Sequence, residues 1–175
     1  MSINQDYNSF DEYPVFTQGD LGLKYRPNVC VFKLWSPAAQ AVKLRIYEND
    51  TDTTAIQTVD MTLGRKGVWT KKIKEDLTWK YYTYQIQFED KWLAESPDPY
   101  SYACGVNGQR SHIIDLAEAA PINWKKDKGP KVAHPTDMVI YEMHIRDMSI
   151  HPDSGIKHKG KFLGLTEQNL SLIHI

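Results

Sequence analysis

The chain has 175 residues, enough for one ordinary domain and part of a second. Its formal net charge is -1, which argues against nucleic-acid binding through a broad basic field. Two cysteines, Cys30 and Cys104, are too few for a disulfide framework, and no apolar run is long enough to cross a bilayer.

Residues 1–18 are polar and turn-rich, with Tyr7, Phe10, Tyr13 and Phe16 spaced by three. Pro14 and the Asp, Asn and Ser residues around it favour an extended lead-in that pins rings onto the domain. The first six residues have neither a basic patch nor an apolar core, so a cytoplasmic location is expected.

Gly19 to Gly22 reads as a turn, and Leu23 to Tyr25 as a short first strand. Val29 to Trp35 is nearly all apolar, as in a strand covered on most of both sides. Pro37 breaks that run. From Val42 the pattern alternates: Val42, Leu44 and Ile46 face one way, Lys43, Arg45 and Tyr47 the other. This predicts one dry face and one wet face.

Asn49 to Thr54 is a loop, and Ala55 to Leu63 is expected to be one strand. Gly64-Arg65-Lys66-Gly67 reads as a hairpin connection into a strand over Val68 to Ile73. Tyr81 to Phe88 alternates again, with Tyr82, Tyr84, Ile86 and Phe88 inward. Trp92 to Ala94 and Ile113 to Leu116 complete roughly seven or eight short strands, the count expected of an immunoglobulin-like β-sandwich. The fold class is therefore all-β over residues 19–116.

Residues 117–136 form a linker, with Pro121, Gly129, Pro130 and Pro135 around a solvated basic run, Lys125 to Lys128. Beyond it, Met138 to Tyr141 is an apolar run of the kind found in buried parallel strands. Glu142, His144, Arg146 and Asp147 follow, at the end where barrel chemistry sits. A lone strand cannot close a barrel, and its edges stay unpaired.

Phe32-Lys33-Leu34-Trp35-Ser36-Pro37-Ala38-Ala39 followed by Val42-Lys43-Leu44 resembles the N-terminal sandwich of glycoside hydrolase family 13 debranching enzymes, an early-set immunoglobulin-like domain also described as carbohydrate-binding module family 48. Gly67-Val68-Trp69, Tyr81 to Tyr84, Asp98-Pro99-Tyr100, Gly105 to Gly108 and Asp115-Leu116 fit its later segments. Tyr141 to Asp147 resembles the first strand of the family's catalytic (β/α)8 barrel, so residues 137–175 read as a truncated barrel start. Within the family the chain is most similar to type I pullulanases, which implies an α-glucan partner such as pullulan, glycogen or amylopectin, and a role beside α-1,6 bond hydrolysis.

Two features depart from the pattern. Trp79 stands where the family has a small residue, often glycine. The last residues, Asn169 to Ile175, do not continue the family sequence and read as the end of a truncated frame. The family's nucleophile, acid/base and supporting carboxylate lie on later barrel strands, so no catalytic residue is expected in this chain.

Retaining glycoside hydrolysis needs two carboxyl groups about 5 Å apart. The carboxylates at hand, Asp98, Asp115, Glu142 and Asp147, are not expected to form such a pair. His144, His151 and His158 recur every seven residues, a spacing that suits solvated histidines better than a metal site; neither metal nor cofactor is expected. Sugars stack on exposed aromatic faces, so the candidate ligand contacts are Trp79, Trp69 and Trp92, with Trp79 favoured because a turn does not demand a large ring. A stand-alone glucan-binding module is the alternative reading. A sandwich used only for protein contacts fits less well, given the unpaired cysteines.

Overall fold

The computed structural model describes residues 7–167; the terminal segment Asn169 to Ile175 lies outside the described residues. The chain divides into two compact units at Lys125/Lys126. The first is a two-sheet sandwich. One sheet contains β1 (Gly22–Arg26), β2 (Val29–Trp35), β6 (Val68–Ile73) and β5 (Thr62–Leu63), in that order. The other runs β4 (Gln57–Asp60), β3 (Ala41–Tyr47), β7 (Tyr81–Phe88), β8 (Lys91–Trp92), with β9 (Ser111–His112) also paired to β7. All pairings are antiparallel, as expected of an immunoglobulin-like sandwich.

The inward positions follow from the period of two. Cys30, Phe32 and Leu34 of β2 meet Val42, Leu44 and Ile46 of β3 and Tyr82 and Tyr84 of β7 in one core. Phe32 and Tyr82 make an edge contact with ring centroids 5.0 Å apart. Fully burying a side chain such as Leu44 contributes about 2 kcal/mol.

Three local expectations are corrected. Ala55 to Leu63 is not one strand. It crosses from one sheet to the other at Met61, whose side chain is buried and whose N–H donates to the Val42 carbonyl at 2.9 Å. Ile113 to Leu116 is not a strand either. The pairing ends at His112, and Asp115 instead caps a short helix, α1 (Leu116–Ala119), by accepting from Ala117 N–H at 2.8 Å. Tyr47 is not on a wet face: the Arg110 guanidinium lies 3.5 Å from its ring centroid, and its hydroxyl donates to Glu95.

The hairpin expected at Gly64 to Gly67 is present between β5 and β6. It needs glycine at Gly67, where φ is +73° and a Cβ would fall 2.4 Å from that of Pro37.

The second unit has no ladder at Val139 to Ile145. Val139 is 93% exposed and Ile140 84%, and Ile145 begins a helix, α2 (Ile145–Ser149). A strand needs a neighbour to take its N–H and C=O groups, and this segment has none among the described residues. Residues 150–167 run through two short 3-10 helices, Pro152–Ser154 and Phe162–Thr166, and are tied by polar side chains. Lys159 Nζ donates to the carbonyls of His151 and Pro152 and to Ser154, and Glu167 accepts from the N–H groups of Lys157 and His158.

Candidate functional site

The three candidate tryptophans fall in different environments. Trp69 lies on β6 opposite Leu34 and Leu63, is 6% exposed, and donates Nε1 to the Ser36 carbonyl at 2.9 Å. It is a core ring with no free face for a sugar, which removes it as a contact. Trp92 lies on β8 opposite Gln87 and is 38% exposed, with the Lys43 ammonium 4.6 Å from its ring centroid. The pair sits on the outer face of the second sheet, where Lys43 was placed by strand alternation.

Trp79 occupies the turn before β7 and is 53% exposed. Its φ is +67°, the left-handed region. The turn is fixed by three backbone bonds: Trp79 N–H to Ile113 C=O at 2.8 Å, Ile113 N–H to Lys80 C=O at 2.9 Å, and Lys80 N–H to Leu77 C=O at 3.1 Å. The Trp79 ring meets His112, and His112 stacks on Tyr81.

The same outer face carries a polar cleft of about 530 Å³, lined by Tyr47, Thr83, Glu95, Asn107, Gln109 and Arg110 among others. Glu95 accepts from the hydroxyls of Tyr47 and Thr83 and lies 3.2 Å from Arg45. Burial pushes its carboxyl upward, but those hydroxyls with Arg45 and Arg110 outweigh that and hold it below the ordinary range. Arg110 donates to the carbonyls of Asn49 and Asp52. The sequence pattern offered no signal for Glu95 or Arg110, because both reach the site from loops.

The carboxylates have structural partners. Asp98, read from sequence as a turn residue, is buried between the sheets. It accepts from Tyr82 at 2.8 Å, Tyr84 at 3.3 Å and Tyr100 N–H at 2.8 Å, while its own N–H donates to Ser111 at 2.7 Å. Burial raises the Asp98 carboxyl above its usual range against the pull of those donors. Burial likewise pushes both tyrosine hydroxyls up. Glu142 and Asp147 are exposed, and Asp147 lies 3.5 Å from His144 and 3.6 Å from Arg146. His151 and His158 face Asp153 and Glu167 respectively. Among the described residues no three potential metal ligands converge.

Residues 20–101 match the family described as Carbohydrate-binding module 48 (Isoamylase N-terminal domain). Pullulanase of Bacillus subtilis (strain 168) is 35% identical over 157 residues, covering 90% of this chain and 20% of that protein. Among solved structures, pullulanase from Paenibacillus barengoltzii in complex with maltohexaose and alpha-cyclodextrin is similar with a TM-score of 0.86 at 43% identity, over 92% of this chain and 25% of that one. Pullulanase from Anoxybacillus sp. LM18-11 complexed with maltotetraose gives 0.78 at 36% identity, over 93% and 23%. The chain thus spans about a fifth of the curated Bacillus relative's length. Residues 20–101 thus match the carbohydrate-binding module 48 family, within a chain that is similar to the N-terminal part of pullulanases.

Proposed function

We propose that this chain supplies the accessory sandwich of an α-glucan debranching hydrolase acting on α-1,6 bonds, bracing the catalytic barrel and contacting glucan through exposed tryptophan. Pullulan, glycogen and amylopectin are the proposed partners. The observation that carries the reading is the half-exposed Trp92 ring with Lys43 against it, on the outer face of a module-48 sandwich. An aromatic face takes the C–H side of a sugar ring, and a neighbouring ammonium donates to its hydroxyls. That two similar pullulanases were solved with maltooligosaccharides supports the choice of an α-glucan.

Residues 1–175 themselves hydrolyse nothing in this reading, because Asp98 and Asp115 are committed to the fold and Glu142 and Asp147 stand exposed on the second unit. Affinity electrophoresis of the full chain through amylopectin or glycogen tests the reading. Retardation that Trp92→Ala reduces is expected, together with zero release of reducing sugar from pullulan. Unretarded migration, or measurable hydrolysis, overturns it.

A further inference from the structure

Trp79 is placed where two costs of folding coincide. Its backbone is left-handed at φ +67°, a region that a residue with a Cβ enters only at a steric cost. Its ring is 53% exposed, so apolar area stays in water. A glycine would make the same three backbone bonds at this turn without either cost. A strained residue with an exposed ring points to a role outside the fold.

The surroundings of the ring are built. His112 and Tyr81 are in register on β9 and β7, stacked with centroids 4.3 Å apart and planes within 6°. The Trp79 ring meets the His112 ring at 5.7 Å with a tilt of 52°. Gly105 closes against the Tyr81 ring and Asp50, leaving no space for a side chain, so the buttress is packed from behind. Burial holds the His112 imidazole below the usual histidine range. The charged form of the ring is thereby disfavoured, which lowers the cost of covering it.

We propose that Trp79 and His112, braced by Tyr81, form a stacking ledge for consecutive α-linked glucose units, separate from the Trp92 contact. The inference rests on the glucan-binding reading above. The ligand class follows from the tilt. Two faces inclined by 52° cannot both lie flat on the straight ribbon of a β-1,4-glucan. An α-1,4 chain turns from one residue to the next and presents successive rings at an angle.

The test compares the wild-type full chain with Trp79→Gly, His112→Ala and Trp92→Ala, using calorimetry with maltoheptaose, cellohexaose as control, and thermal unfolding. Trp79→Gly is expected to raise the midpoint by roughly 4 °C through relief of the left-handed strain. It is also expected to weaken maltoheptaose binding about tenfold, the loss of one stacked ring. His112→Ala weakens binding as well, and cellohexaose does not bind. A lower midpoint for Trp79→Gly means the ring has a packing role and overturns the ledge. Unchanged maltoheptaose affinity in Trp79→Gly, with binding lost in Trp92→Ala, also overturns the ledge while leaving the module reading intact. Equal binding of cellohexaose overturns the assignment to α-linked chains. No maltoheptaose binding by the wild type overturns both readings.

Discussion

The sandwich and the segment beyond Lys125 use similar residues to opposite ends. In the sandwich, Val42, Leu44 and Ile46 are buried because β4 and β7 flank β3 and take its backbone groups, leaving the apolar side chains to face a second sheet. Beyond Lys125, Val139, Ile140 and Tyr141 are just as apolar, yet Tyr141 is 63% exposed and the two before it more so. The difference lies in the neighbours and not in the residues. Strand propensity and hydrophobicity become structure only when another strand satisfies the N–H and C=O groups. Where no such partner stands among the described residues, the second unit is tied by local polar bonds, of which Glu167 to the amides of Lys157 and His158 are representative.

The comparison is broken most directly by truncation in each region. Phe32→Ala removes a fully buried ring from between the sheets and is expected to cost about 4 kcal/mol, read from chemical denaturation of the sandwich. A loss below about 1 kcal/mol would mean the two sheets are not held by a shared core.

The next effect concerns the buried carboxylate. Asp98→Ala leaves the Tyr82 and Tyr84 hydroxyls and the Tyr100 N–H without their acceptor, at an expected cost of about 3 kcal/mol. The sign of the pH dependence sharpens this. Asp98 has a raised folded-state value, so its contribution is complete below its unfolded value and declines as pH rises through the folded one. Asp98→Asn should flatten that decline in a pH series of unfolding midpoints.

Glu167 runs the other way. The amides of Lys157 and His158, with the His158 ring, hold its carboxyl down to about 2. Its contribution is present above the ordinary glutamate value of about 4.3 and is lost as pH falls from there toward about 2. Amide exchange at Lys157 and His158 should accelerate over that interval, while the sandwich amides stay protected. Glu167→Gln should remove the acid-induced step. An acid step shared equally by both units would show that they do not respond separately.

The smallest effect is expected at Val139→Ala. Almost the whole side chain is in water, so stability should change by less than about 0.5 kcal/mol. A core-sized loss there would show that the apolar run is covered in solution.

Much of the sandwich was legible because its signals are local. Alternation along β3 and β7 placed Leu44, Ile46, Tyr82 and Tyr84 inward, and all four are buried. Pro37 and the Gly64 to Gly67 turn marked real breaks between strands. The misread segments depend on distant chain. Met61 switches sheets because Val42 offers it a carbonyl. Tyr47 dries out because Arg110, more than sixty positions later, folds over it. Asp98 looks like a turn residue beside Pro99 until Tyr82 and Tyr84 are found donating to it. Of the candidate contacts, the sequence left Trp69 and Trp92 open; the fold buries Trp69 and leaves Trp92 and Trp79 exposed. The stacking of His112 on Tyr81 carried no mark in sequence, since the β7–β9 register brings the two rings together.

By itself, the sequence determined which stretches alternate, where they turn, and which family they resemble, since periodicity and turn chemistry are written over a few neighbouring residues. Tertiary structure alone decided which tryptophan stays exposed, which carboxylate is buried, and which apolar run finds a strand to pair with. Each of those outcomes depends on groups brought close by folding, and burial and hydrogen bonding are properties of that company, not of the residue.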